Sequence, residues 1–209
     1  MKHIIRLLLC IVTVWFVIEQ LTYHPVCNGI DVSHHNNMLP WDNNPVIDSC
    51  IFIIAKATEG SSFVDPKFNM HRNLAKAKNV MFGAYHFLTK EKTPKDQFEH
   101  FKKVVGNDID LIPCLDVEKY ANKHWGYSQV RKYVREWSAL CKAYYGKYPI
   151  IYCTDVYRIV FFYDMPNQFW INNWHLKPLT TCAIHQYSNN DETLDYNHLN
   201  TDIKNLMLN

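Results

Sequence analysis

From residue 28 onward the chain alternates short apolar runs with longer stretches whose apolar residues recur every three or four positions. The runs Asn28 to Ser33, Ile51 to Ala57, Val80 to Phe87, Leu111 to Glu118, Pro149 to Thr154, Phe169 to Asn172 and Cys182 to Tyr187 predict strands. Each is brief, several are β-branched or aromatic, and most are bounded by Gly, Pro, Asn or Asp. Between them, Lys67 to Lys78, Pro94 to Val105 and Ser128 to Tyr145 predict helices. The last of these sets Val130, Val134, Trp137 and Cys141 at helical spacing, and Thr93-Pro94 gives the second a cap and a first-turn residue. Strands that are apolar on both faces and separated by helices predict a parallel sheet covered by helices, the α/β class. Pattern alone leaves a closed barrel and an open doubly wound sheet both standing. No repeat, low-complexity tract or linker breaks residues 23–209, which read as a single domain.

Residues 1–22 follow another rule. Lys2, His3 and Arg6 precede the twelve-residue run Leu7 to Ile18, which holds one hydroxyl and no charge. A positive segment before an apolar run of that length predicts a signal peptide or signal anchor. Glu19 to His24 is poor in small residues and offers no A-x-A-like cleavage site, so both forms stay open. Export is expected either way, with membrane attachment through residues 4–18 as the anchored form.

Composition narrows the chemistry. A net charge of +2, with Lys and Arg scattered, gives no electrostatic footprint for nucleic acid. No G-x-G-x-x-G or G-x-x-x-x-G-K follows the first strand, which removes the usual nucleotide readings. Aromatic residues make up 14%, enough to line a groove that stacks on sugar rings. Six cysteines follow Cys10: Cys27, Cys50, Cys114, Cys141, Cys153 and Cys182. Their even number permits disulfides in an exported protein, and Cys27, Cys50 and Cys182 each stand just ahead of a strand, where a bridge at a barrel floor is easy. Cys114 shares a strand face with Asp116 and reads as a small buried apolar residue. No Cys/His ligand spacing appears, so neither metal nor cofactor is expected.

Polar residues collect at the carboxyl ends of the strands, where a barrel places its catalytic groups. The fourth long run ends Asp116-Val117-Glu118. Strand side chains repeat direction every two residues, so the two acids share a face with Cα atoms roughly 6.5–7 Å apart. Carboxyls that close resist ionising together, and a protonated acid beside a carboxylate is the equipment for cleaving a glycosidic bond. The same ends carry Asp31, Lys56, Glu59, Tyr85, His86, Trp170, Asn172, Trp174, Gln186 and Asp195. Taken singly, Lys56 could pair with Glu59 or Asp31, and His86 could be a hydrogen-bonded core histidine; it is their convergence that points to a carbohydrate site.

Gly29 to His35, Lys56 to Gly60, Gly83 to Phe87 and Pro113 to Glu118, followed by Gln186-Tyr187-Ser188 and Asp195-Tyr196-Asn197, resemble the signature segments of the family 25 glycoside hydrolases, a group of lysozymes. The resemblance runs from about residue 28 to the end. It implies an irregular TIM-like β/α barrel that hydrolyses the β-1,4 bond between N-acetylmuramic acid and N-acetylglucosamine in peptidoglycan. It also implies Glu118 as the acid, with Asp116, Asp31 and Asp195 as the other acidic residues of the site. Peptidoglycan glycan strands are then the partner, and the exported protein is expected to act as a monomer. Asp116 would stabilise positive charge at C1, directly or by steering the substrate's N-acetyl oxygen. Tyr85, His86, Lys56, Glu59, Trp170, Asn172, Trp174 and Gln186 would bind the sugars. Two departures predict an altered cleft: Asn189 to Leu194 lacks the glycines usual before that aspartate, and His185 stands where the family often has Trp. The rival readings are a wall-binding barrel that no longer cuts and a chitinase-like hydrolase. A serine or cysteine hydrolase is disfavoured, because Ser33 beside His34 and His35 forms no nucleophile elbow.

Overall fold

The structure is a computed structural model that describes residues 2–36, 44–122, 125–174, 176–188 and 194–208. The order of elements is α1 (Lys2–Leu21), β1 (Gly29–Val32), α2 (Pro45–Ser49), β2 (Phe52–Glu59), β3 (Phe63–Val64), α3 (Phe68–Ala77), β4 (Met81–Phe87), α4 (Pro94–Val105), β5 (Cys114–Asp116) and α5 (Lys119–Asn122). There follow α6 (Tyr127–Tyr145), β6 (Ile150–Thr154), α7 (Asp155–Phe161), β7 (Phe169–Asn172), β8 (Ile184–Ser188), β9 (Asp195–Leu199) and a 3-10 turn at Ile203–Leu206. All seven predicted strands and all three predicted helices form.

The sheet order is β1-β9-β8-β7-β6-β5-β4-β2-β3, and β1 also pairs with β2. That pairing closes eight strands into a barrel and leaves β3 as an antiparallel edge on β2. Pattern reading could not choose between barrel and open sheet because closure depends on β9. This strand runs antiparallel to both of its neighbours, β1 and β8, and its polar sequence hid it. The sheet is therefore parallel except at β9 and β3. The predicted strand over 111–118 contracts to β5, with Leu111 held separately in a bridge to Met207.

Two apolar layers follow from strand alternation. Inside the barrel pack Phe52, Ile54, Leu111, Cys114, Ile150, Trp170 and Ile184, so Cys114 is the interior residue the sequence suggests. Outside, Ile30, Ile53, Ala55, Phe82, Leu115 and Ile151 meet Phe98 and Phe101 of α4 and Val134, Trp137 and Cys141 of α6. Helix α4 starts as predicted: the Thr93 side chain accepts from the Asp96 backbone at 3.1 Å, and Asp96 Oδ2 accepts from the Thr93 N–H at 3.1 Å. A bulge in β2 between Lys56 and Thr58 breaks the alternation. Lys56 keeps the inward direction of Phe52 and Ile54, while Thr58 turns outward to His86 at 2.8 Å.

Helix α1 has no buried residue, and it is long and apolar enough to cross a membrane. Its carboxyl-terminal half meets the barrel, where Trp15 and Phe16 share a hollow with Lys177 to Cys182. Lys177 Nζ donates to Glu19 Oε1 at 2.5 Å, the Lys177 backbone N–H donates to Gln20 Oε1 at 2.7 Å, and Tyr23 OH lies 2.7 Å from His185 Nδ1.

Candidate functional site

The barrel mouth holds a cavity of about 240 Å³ lined by Asp31, Tyr85, Asp116, Glu118, Tyr152, Trp170, Trp174, Gln186 and Asp195. All four acids named from sequence are here. Asp31 and Asp116 sit near the carboxyl ends of β1 and β5, and Glu118 lies two residues past Asp116. Asp195 arrives by a different route. It is the first residue of β9, and the reversal of that strand places it directly across from Asp31 in the ladder. An antiparallel strand delivers its amino end to the rim where parallel strands deliver their carboxyl ends.

A buried polar network fixes Asp31. Its Oδ2 accepts from Gln186 Nε2 at 2.9 Å and from Asn197 Nδ2 at 2.8 Å. Asn197 Oδ1 accepts in turn from Trp170 Nε1 at 2.7 Å. Gln186 Oε1 accepts from Tyr152 OH at 2.8 Å and Trp174 Nε1 at 3.2 Å, and Asn172 Nδ2 donates to Tyr152 OH at 2.7 Å. Asn172 thus supports the wall rather than lining the cavity. Asp116 is treated differently: its Oδ1 is buried with no hydrogen-bond partner among the described residues. A buried carboxyl oxygen left so is costly unless something binding in the cavity completes it.

Burial raises all four acids, and repulsion from neighbouring acids adds to the rise at Asp31, Asp116 and Asp195. Loss of solvent is the largest cause for each. Asp195 then adds to Asp31, while Glu118 adds to Asp116 and to Asp195, which reaches about 6. Lys56 opposes the rise at Glu118 and at Asp116. Its Nζ donates to Glu59 Oε2 at 2.7 Å and lies 4.7 Å from the centre of the Phe87 ring. Lys56, Glu59 and His35 line a second hollow that shares Tyr85, Asp116 and Glu118 with the first. The two hollows adjoin across the acidic pair Asp116 and Glu118.

His86 does not join the site. It is fully buried on the outer face of β4, between Thr58 and Gln97, and stacks on Trp137. Tyr85 and His86 are neighbours in one strand, so only one of them can face the cavity, and it is Tyr85. Sequence reading missed Tyr152, the fixing role of Asn197, and His35. The alternation that puts Ile150 inside the barrel also puts Tyr152 there, a signal that was available. Of the segment expected to reshape the cleft, residues 189–193 lie outside the described residues. The other departure, His185, points away from the cavity: its Nε2 is 2.7 Å from the Asn173 carbonyl and its Nδ1 faces Tyr23. Among the described residues, no cluster of His, Cys, Asp or Glu is arranged to hold a metal ion.

The family model described as glycosyl hydrolases family 25 matches residues 30–196. The chain is 31% identical over 135 residues to the uncharacterized protein YegX of Escherichia coli K12, covering 62% of this chain and 49% of that one. It is 28% identical over 183 residues to lysozyme M1 of Streptomyces globisporus, covering 77% of this chain and 61% of that one. The chain thus spans about half to three fifths of the length of these curated relatives. Among solved structures, a family 25 glycosyl hydrolase from Bacillus anthracis superposes with a TM-score of 0.76 at 26% identity, covering 87% of this chain and 94% of that one.

Proposed function

Since the chain belongs to the family 25 glycosyl hydrolases, we propose that it is a lysozyme cutting the β-1,4 bond between N-acetylmuramic acid and N-acetylglucosamine in peptidoglycan. The observation that carries this reading is the unequal pair at the cavity: Glu118 reachable from the groove, Asp116 buried with one oxygen unpartnered. Glu118, whose pKa burial raises, donates its proton to the leaving glycosidic oxygen. Burial favours the neutral form of Asp116 as well. The acetamido N–H of a bound sugar supplies the partner that Asp116 Oδ1 lacks and favours its ionised form. Held that way, the acetamido oxygen closes on C1 as the bond to the leaving oxygen breaks. Water then adds to C1 as the bond from the acetamido oxygen to C1 breaks, restoring the N-acetyl group, and the water gives its proton back to Glu118. The Asp31 network holds the opposite wall, and half-exposed Trp174 offers a ring face to the sugar.

Mass spectrometry of products from purified peptidoglycan tests the reading. New reducing N-acetylmuramic acid ends are expected. Glu118→Gln should lower kcat by about 10²–10⁴-fold, the range of a general acid. Near wild-type clearing by Glu118→Gln sinks the acid assignment, tight binding without new reducing ends establishes a wall-binding barrel, and cleavage of chitin oligosaccharides alone establishes the chitinase-like rival.

Residues 1–22 direct export, and the contacts of Glu19, Gln20 and Tyr23 with Lys177 and His185 favour a leader that stays attached as an anchor, with the groove facing the wall. Intact mass of the mature protein decides this, because cleavage before residue 24 would remove those contacts.

A further inference from the structure

Two of the cysteines stand opposite one another at the barrel floor. β1 and β2 pair in parallel with Gly29 opposite Phe52 and Ile30 opposite Ile53. The pairing continues one step below the strands, where the Ile51 N–H donates to the Asn28 carbonyl at 2.7 Å. The next step down is Cys27 opposite Cys50. Neighbouring strands run about 4.8 Å apart, inside the roughly 4.4–6.8 Å that Cα atoms of a disulfide span. Both side chains also enter the same outer apolar layer, Cys50 within it and Cys27 packed against it. Both are free thiols in the structure.

We propose that Cys27 and Cys50 form a disulfide in the exported protein, stapling the start of the first barrel strand to the start of the second. The two thiols give up two electrons and two protons as the Sγ–Sγ bond forms. The acceptor is a second disulfide, carried by a small-molecule thiol or a thiol oxidoreductase, which is reduced to two thiols by exchange. Cys27 is suited to begin the exchange: a hydrogen bond from Cys50 lowers its pKa to about 7, where a useful fraction is thiolate. Cys27 is also half-buried, within reach of the attacking disulfide, while Cys50 is buried and closes the bond from inside.

The remaining cysteines are placed for other roles. Cys114 lies inside the barrel, while Cys141 and Cys153 are buried in the outer layer. Cys182, the last of the three cysteines that stand ahead of a strand, accepts a hydrogen bond from Asn200 Nδ2 at 3.2 Å on β8's side of the barrel. The staple closes the loop that carries α2 and ties the floor where the chain enters from α1.

The test uses the full chain in detergent micelles, equilibrated with mixtures of reduced and oxidised glutathione, quenched by alkylation under denaturing conditions and weighed intact. A loss of two alkylatable thiols is expected, with peptide mapping giving one cross-link, Cys27 to Cys50. Reductant should lower the wild-type Tm by roughly 5–10 °C, as expected for a loop of this size in a domain of this size. The doubly substituted Cys27→Ser, Cys50→Ser protein should melt near the reduced wild type and ignore reductant. Full alkylation of every cysteine at all glutathione ratios overturns the proposal. So does a cross-link to any other cysteine, or a wild-type Tm indifferent to reductant.

Discussion

Lys56 is the residue on which the site's electrostatics turn. Fifth of the eight residues of β2, it is a buried cation, and it works against the rise of both Glu118 and Asp116. Replacing it with Met keeps the stem and removes the charge. Glu59 tolerates the loss because its side chain is 38% exposed and water can solvate it. Without the cation both acids hold their protons to higher pH. On the proposed mechanism the alkaline limb of kcat follows loss of the Glu118 proton and should therefore move to higher pH in Lys56→Met, and the acid limb, which follows ionisation of Asp116, should move the same way. A profile that stays in place, or moves to lower pH, removes Lys56 from the site's proton balance. His86 is the contrasting case. Its position beside Tyr85 made it a sugar-binding choice from sequence, yet burial drives its pKa down to about 3 and keeps it neutral as a core residue.

At the scale of elements, β1 and β2 meet so closely that one position admits only glycine. A Cβ on Gly29 would come within 2.5 Å of the Phe52 ring that plugs the barrel floor. A fully buried ring in the interior layer cannot swing aside without displacing its neighbours. Gly29→Ala should cost roughly 1–3 kcal/mol in urea denaturation, the range for overpacking a filled core. A neutral result would mean that Phe52 has room to move. The elements also explain what the sequence could and could not disclose. Parallel strands buried on both faces announce themselves as apolar runs, so β1, β2, β4, β6, β7 and β8 were legible from pattern. β5 was legible in position but not in length, because Pro113 cannot donate to a ladder and ends the pairing on that side. β9 was invisible as a strand: Asp-Tyr-Asn-His-Leu carries the polar residues of the rim and floor, and its pairing with β1 and β8 is a tertiary fact. The four acids were legible because their segments resemble a family. That Asp31 and Asp195 are ladder partners was not, since it depends on the direction of β9.

Over the whole molecule, the groove sets titratable groups against the stability of the fold. Asp195 rises to about 6 in the folded state, and Asp31, Asp116 and Glu118 rise with it. A carboxyl whose folded pKa exceeds its unfolded value contributes stability that is fully present below the unfolded pKa and lost as pH climbs through the folded one. For Asp195 that window runs from about pH 4 to about pH 6. The buried histidines pull the other way. His71, His86 and His185 have lowered pKa values because burial disfavours their charged forms. The unfolded chain therefore takes up their protons first on acidification, and the fold loses stability as pH falls below about 6.5. The two sets partly cancel, so the wild-type profile alone would not separate them. A difference measurement does. Asp195→Asn mimics the protonated acid at every pH, so it should match wild type near pH 4 and become the more stable protein as pH rises. The gap should approach roughly 1–3 kcal/mol by pH 7.5, with the upper figure reduced by the water that still reaches the rim. Urea denaturation of both proteins at several pH values checks it. A gap that is constant across pH would mean that Asp195 ionises in the fold as readily as in the unfolded chain. A gap that opens with pH, alongside lost activity, would show that the acidic cluster is held at the mouth of the barrel at a cost to the fold.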